Sequence, residues 1–208
     1  MTTFDEAIQD LYRIAIEDRK PTSPARMYRL ADYCVEQLAR LGLPGAEREA
    51  LVPGIGREKN WDVAWRYEGK CRLAISLKSI LKNLEGTVPN RIDDLMGEVA
   101  NLQLYSPEIV IGYIMVFDVS HDGMSAKHGQ KWVQLLRTRL GVLSGRRPPA
   151  WSVGMIEDHA VVEVDFSKSC RVLSAETEVR DMLERLVQQV VERNPSLAMK
   201  EGEPDGRH

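Results

Sequence analysis

Cysteine is scarce in this chain and poorly placed for a structural role: Cys34, Cys71 and Cys170 are odd in number and far apart. They lack metal-ligand spacing, so a disulfide framework or a zinc site is not expected. The four histidines, His121, His128, His159 and His208, form no ligand pattern either. No apolar run reaches membrane-spanning length, and the acidic start Met1-Thr2-Thr3-Phe4-Asp5-Glu6 lacks the features of a secretory signal. The expectation is no membrane partner and a cytoplasmic address. A surplus of positive charge is missing as well. The net charge of -3 argues against wholesale coating of nucleic acid and leaves room for a local basic cleft beside acidic groups. Internal repeats and low-complexity tracts are absent. What remains, 208 residues with 43% hydrophobic and 28% charged side chains, has the composition of an ordinary globular protein with a sizeable core.

The most informative stretch runs from Lys59 to Ser79 and reads as two strands joined by a tight turn. In the first strand Trp61, Val63, Trp65 and Tyr67 share one face, and Asp62, Ala64 and Arg66 share the other. In the second, Leu73, Ile75 and Leu77 alternate with Ala74, Ser76 and Lys78. Whether Asp62 meets Lys78 depends on the turn. A three-residue loop, Glu68 to Lys70, pairs Asp62 with Ser76 and Ala64 with Ala74, leaving Lys78 one step along. A two-residue loop separates them unless a bulge restores the register.

The remaining chain alternates helical and strand patterns. Helices are expected over 4 to 18 and from Thr22 to about Leu41, followed by a glycine-rich loop with a short strand at Ala50 to Val52. Arg57 and Lys59 stand just before Asp62, as phosphate contacts or as part of a solvated loop. Residues 80 to 89 read as a linker carrying Lys82 and Asn83. Asn90 then caps a helix to about Leu104, with Asp93 in its first turn and an apolar stripe of Ile92, Leu95, Met96, Val99 and Leu102. Its other flank carries Arg91, Asp94, Glu98 and Asn101, which reads equally as a solvated face with Arg91 paired to Asp94. The continuous apolar run from Ile109 to Val119 is a buried strand reached by a parallel crossover. A helix from Trp132 to Gly145 leads to Arg146-Arg147-Pro148-Pro149, a stiff basic loop that reads as a simple connector or as a contact for an anionic backbone. A second hairpin over Ser152 to Phe166 and an amphipathic helix over Thr177 to Arg193 complete the pattern; both are elements that could build a dimer.

An aspartate on one strand and a polar-x-Lys ending on the next, here Asn60-Trp61-Asp62 and Ser76-Leu77-Lys78, resembles the PD-(D/E)xK superfamily of restriction endonuclease-like proteins. The continuation Lys78-Ser79-Ile80 with Asn90-Arg91-Ile92-Asp93-Asp94 is similar to type II restriction enzymes of the XhoI-like group. The resemblance spans about residues 45 to 118. It implies an α/β fold with a mixed central sheet, a core over 45–119, N-terminal helices over 4–42, additions over 126–194, all in one nuclease domain over 1–195, and a disordered tail over 196–208. It further implies a magnesium-dependent endonuclease acting on double-stranded DNA, with a homodimer as the natural way to cut both strands. Asp62 and the Leu77 carbonyl would then hold Mg2+, and Lys78 would orient or help deprotonate the attacking water. Ser76 replaces the second acid, as in relatives that draw the missing carboxylate from the following helix, where Glu98 and Asp94 come ahead of Asp93. Glu36, on an early helix, matches a place from which some members add a carboxylate. Arg57, Lys59, Lys82, Asn83, Arg91, Arg146 and Arg147 are the DNA-binding candidates. The alternatives are a repair or mobile-element nuclease of the same fold, or a non-catalytic DNA-binding or assembly protein with a degenerate site.

Overall fold

The computed structural model describes residues 1–197. Thr3 opens the first helix, α1 (Phe4–Tyr12), through a capping box with Glu6, and a π-helical turn over Arg13–Glu17 prolongs it. A 3-10 turn at Pro24–Met27 leads into α2 (Tyr28–Arg40). Three antiparallel strands follow: β1 (Glu47–Val52), β2 (Lys59–Tyr67) and β3 (Lys70–Ile80). The helix α3 (Leu84–Gln103) crosses to β4 (Val110–Asp118), which runs parallel to β3. After α4 (Trp132–Leu143), β5 (Asp158–Asp165) lies parallel to β4, the short β6 (Arg171–Val172) turns back along it, and α5 (Glu176–Arg193) closes the order. The fold is α/β, a six-stranded mixed sheet in the order β1-β2-β3-β4-β5-β6.

Helices cover both faces. Alternate residues of β4 divide between them: Val110, Ile114 and Val116 join α1, α2 and α5 in one core, while Ile111, Tyr113, Met115 and Phe117 join α3 and α4 in the other. Gly112 lets α5 come close, since a Cβ there would stand 2.4 Å from Leu186 Cδ1. Among the described residues no helix is long and apolar enough to cross a membrane. All three cysteines are free.

Several sequence expectations are corrected. The helix α3 begins at Leu84, not Asn90, because Leu84 and Val88 are buried in the second core. That packing outweighs the hydrogen bond lost at Pro89 within the helix. Asp93 therefore lies outside the first turn, and Met96 faces solvent at 44% exposure instead of joining the stripe. Trp61 packs with Ala50 and Val52 in the second core, apart from Val63 and Trp65. The 152–166 hairpin does not form: its second half is β5, paired in parallel with β4. The apolar stripe of α5 packs into the first core. Ser196 and Leu197, the start of the expected tail, lie against the fold, with Tyr67 Oη donating to Ser196 Oγ at 3.2 Å; residues 198–208 of that tail are outside the described residues.

Arg146, expected at a DNA backbone, is 2% exposed. Its guanidinium pairs with Glu157 at 2.9 Å and donates to the carbonyls of Ile109 and Pro107. Arg193 closes on the same carboxylate, also at 2.9 Å, and Glu157 Oε2 in turn accepts the Ile111 amide. The cluster ties the entry to β4, the segment before β5 and the end of α5 together. Without Arg146, Glu157 keeps only Arg193 as a cationic partner, and the Pro107 carbonyl and one face of the carboxylate lose a buried donor. Arg146→Met should therefore cost about 3–5 kcal/mol in denaturant unfolding, whereas Arg147→Ala, on an exposed side chain, should stay within about 0.5 kcal/mol of the parent.

Candidate functional site

The turn between β2 and β3 has two residues, Glu68 and Gly69, both at positive φ (51° and 74°), as the tight primed turns of hairpins require. Tyr67 pairs with Lys70 and Arg66 with Cys71; the register then shifts, so that Trp65 pairs with Leu73, Ala64 with Ala74 and Val63 with Ile75. Arg72 is the extra residue, and its guanidinium is held by Glu108 at 3.0 Å. A two-residue turn plus a bulge thus gives the pairing of Ala64 with Ala74 expected from a three-residue loop.

Beyond Val63 and Ile75 the regular ladder between the strands stops. There the Leu77 amide, which has no strand carbonyl opposite, donates to Asp62 Oδ2 at 2.7 Å. Lys78 Nζ stands 3.9 Å from the same oxygen, and Ser76 Oγ is at 3.5 Å, the outer limit of a hydrogen bond. Asp62 and Lys78 share a site floored by small side chains, since Ala64 and Ala74 are fully buried. The N–H and C=O of a strand residue leave along the same edge, so the Leu77 carbonyl faces the same gap.

From the other side, α3 brings Glu98, which closes on Lys59 at the start of β2. Asp94 is turned outward, 54% exposed, and pairs with Arg91 at 3.2 Å. Burial raises the Asp62 pKa above the ordinary carboxylate value; Lys78 and the Leu77 amide pull it down, Glu98 pushes it up and Lys59 lowers it again. Asp62 and Glu98 therefore lie in each other's field. Among the described residues no group of three or more His, Cys, Asp or Glu side chains could hold a metal. The oxygen donors at this margin are the Asp62 carboxylate, the Leu77 carbonyl and, were Lys59 to leave it, the Glu98 carboxylate, a donor type that hard cations take.

Other predicted residues are distributed unevenly. Arg57, Lys82, Asn83 and Arg147 are exposed, whereas Lys59 and Arg91 are engaged by acids of α3. Glu36 is taken by the Thr2 amide, at 2.9 and 3.0 Å, and is not in the site. Three residues escaped sequence reasoning. Tyr113 is the register partner of Ser76 on β4 and shares its face; burial raises its pKa, and Arg91, Glu98, Asp94 and Asp62 act on it. One tyrosine inside a continuous apolar strand was the available signal. Asn101 pins the loop before β2: its Oδ1 accepts from Gly56 N at 2.8 Å and its Nδ2 donates to the Arg57 carbonyl at 3.0 Å. Gly54 makes that closure possible, since a Cβ there would lie 2.1 Å from Asn101 Nδ2. Arg26, on the turn before α2, donates to Ser79 Oγ at 3.1 Å. Nothing local in the sequence links it to β3.

A cleft of about 290 Å³ lies between this loop and α3, lined by Gly56, Arg57, Lys59, Gly97, Glu98 and Asn101. A larger cavity of about 480 Å³ opens near the β2–β3 turn, where Leu51, Gly69 and Tyr105 line it. Its one carboxylate, Glu108, is occupied by Arg72; of these two, the smaller cleft is the one that the Lys59–Glu98 pair lines.

The chain matches no protein-family model and no curated protein. Among solved structures it is similar to the small subunit of a heterodimeric restriction endonuclease, with 10% identity and a TM-score of 0.32 over 92% of this chain and 98% of that one.

Proposed function

We propose that this chain is a magnesium-dependent endodeoxyribonuclease of the PD-(D/E)xK type, acting on double-stranded DNA as a homodimer and most like a type II restriction enzyme. The observation that carries the proposal is the placement of Asp62 and Lys78, 3.9 Å apart, where β2 and β3 part. Burial raises the pKa of this carboxylate, and perturbed groups of this kind cluster at functional sites. Asp62, the Leu77 carbonyl and Glu98 would hold the magnesium. The ion, when bound, neutralises charge on the scissile phosphate and lowers the pKa of water.

The side chains supply the rest. Lys78 offers mobile donors that position a water for attack in line with the leaving 3'-oxygen, and the Ser76 hydroxyl can hold a second water. Glu98 is preferred over Asp94 as the displaced acid because its side chain is 19% exposed and acts on Asp62, whereas Asp94 turns to Arg91. Freeing Glu98 requires Lys59 to move to a phosphate, which exchanges one charged partner for another. That same pair favours a second reading, a DNA-binding protein without catalysis, in which Lys59 neutralises Glu98 permanently.

Cleavage of plasmid DNA in magnesium, and none in EDTA, is the expected result; binding without cleavage favours the second reading. Lys78→Ala should lower cleavage by about 10²–10⁴-fold, and Asp62→Ala should remove it, both with unchanged circular dichroism. Near-parental nicking by either would discard the site. Titrating magnesium against cleavage, Glu98→Gln should need about 10- to 100-fold more metal, while Asp94→Asn should follow the parent curve.

The raised pKa of Asp62 also sets a stability trend. Its ionised form is less favourable in the folded chain than in the unfolded one, a penalty absent below the ordinary value of 3.8 and present above the folded pKa. Asp62→Asn should raise the melting temperature at neutral pH, with the gain shrinking as pH falls toward that value. Equal gains at all pH values would contradict the assignment. A complex that sediments with the mass of two chains plus one duplex is expected for the homodimer.

A further inference from the structure

Arg26 is anchored beside the site by two hydrogen bonds to neutral oxygens. Its Nε donates to Ser79 Oγ at 3.1 Å and Nη1 to the Ser23 carbonyl at 2.6 Å. Ser79 directly follows Lys78 on β3 and is itself 6% exposed; its side chain leaves the sheet on the face opposite the lysine, so Arg26 is tethered one position along the same strand, from the side of the first core.

What sets Arg26 apart is its lack of an acid. Of the other partly or fully buried arginines, Arg66, Arg72, Arg91, Arg137, Arg146 and Arg193 each close on a carboxylate. Arg139 contacts His128 instead. Among the described residues Arg26 has no carboxylate within ion-pair distance, and only two of the five N–H donors of its guanidinium are used. Its surroundings disfavour the charge: burial lowers its pKa, the neighbouring Arg91 adds repulsion, and Asp62 offsets only part of this. The Arg91 Nε is buried without a partner. Two guanidiniums are therefore crowded at one margin of the site, where Asp94, largely exposed, is the acid that answers Arg91. The Arg26 donors that Ser79 and Ser23 leave unclaimed are therefore placed to meet an anion from outside.

We propose that Arg26 binds a phosphate of the DNA strand presented to Asp62, using the donors that Ser79 and Ser23 leave unclaimed. The inference rests on the nuclease reading for the identity of the anion, though not on catalysis. A guanidinium fork matches two nonbridging oxygens at once, which a lysine cannot reproduce. The tether to Ser79 fixes that fork relative to Lys78, so the phosphate so held sets the position of the strand along β3.

The test is binding of the full chain to a labelled duplex in EDTA, by fluorescence anisotropy at several salt concentrations. Arg26→Gln should weaken binding about tenfold and reduce the slope of log Kd against log salt by about 0.9, the loss of one phosphate contact. Arg26→Lys should keep the slope and weaken binding about threefold, since charge remains and the fork does not. Asp62→Asn should bind at least as well as the parent. A penalty that persists on closed circular DNA puts the contacted phosphate inside the strand; one confined to 5'-phosphorylated ends puts it at a terminus. Parental affinity and slope in Arg26→Gln overturn the proposal, as does parental affinity in Arg26→Lys should Arg26→Gln fail to fold. If the parent binds without cutting in magnesium, the catalytic reading fails and the Arg26 contact stands. If the parent does not bind DNA, both fail.

Discussion

The register between β2 and β3 governs everything built on this sheet. A hairpin turn of two residues would put Asp62 out of step with Ser76 and Lys78, because one residue of slip turns side chains to the opposite face. The extra residue Arg72 removes that slip, and Glu108 fixes its side chain at the entry to β4. The ladder then ends at Val63 and Ile75, and the Leu77 amide, left without a strand carbonyl, is taken by Asp62. A buried amide needs an acceptor and a buried carboxylate needs donors, so each answers the other. The same bond holds the carboxylate within reach of Lys78.

Around this point the sheet is clamped from two directions. The Arg146–Glu157–Arg193 cluster secures the far side, where β4, the approach to β5 and the end of α5 meet. On the near side Asn101 of α3 secures the loop leading into β2, and Gly54 permits the close approach. Rigid elements carry the groups assigned to chemistry, as a preorganised site requires. The charges between them are less settled. Asp62 is held above its ordinary pKa, Glu98 is paid for by Lys59, and Arg26 and Arg91 repel each other. A polyanion with a divalent cation would rearrange these partners, which is the physical content of the proposed nuclease activity.

The sequence by itself determined that β4 is buried on both faces, the amphipathic stripe of α5, and the pairing of an acid strand with a lysine strand, because a continuous apolar run and periods of 2 and 3.6 are written in neighbouring residues. It also set Glu98 and Asp94 together on one flank of α3. Tertiary structure alone decided what depends on distant partners. Leu84 and Val88 extended α3 across Pro89 because a core waited for them, and Arg146 left the surface because Glu157 and two carbonyls received it. Ser152 to Glu157 stayed out of the sheet because β4 offered its edge to the segment that follows. Glu98 and Asp94 look alike in sequence, one turn apart on a polar flank; only the position of Lys59 on another strand and of Arg91 on the same helix separates them. Arg26 carries no local mark at all, since its meaning comes from Ser79, 53 positions away in the chain and 3.1 Å away in space.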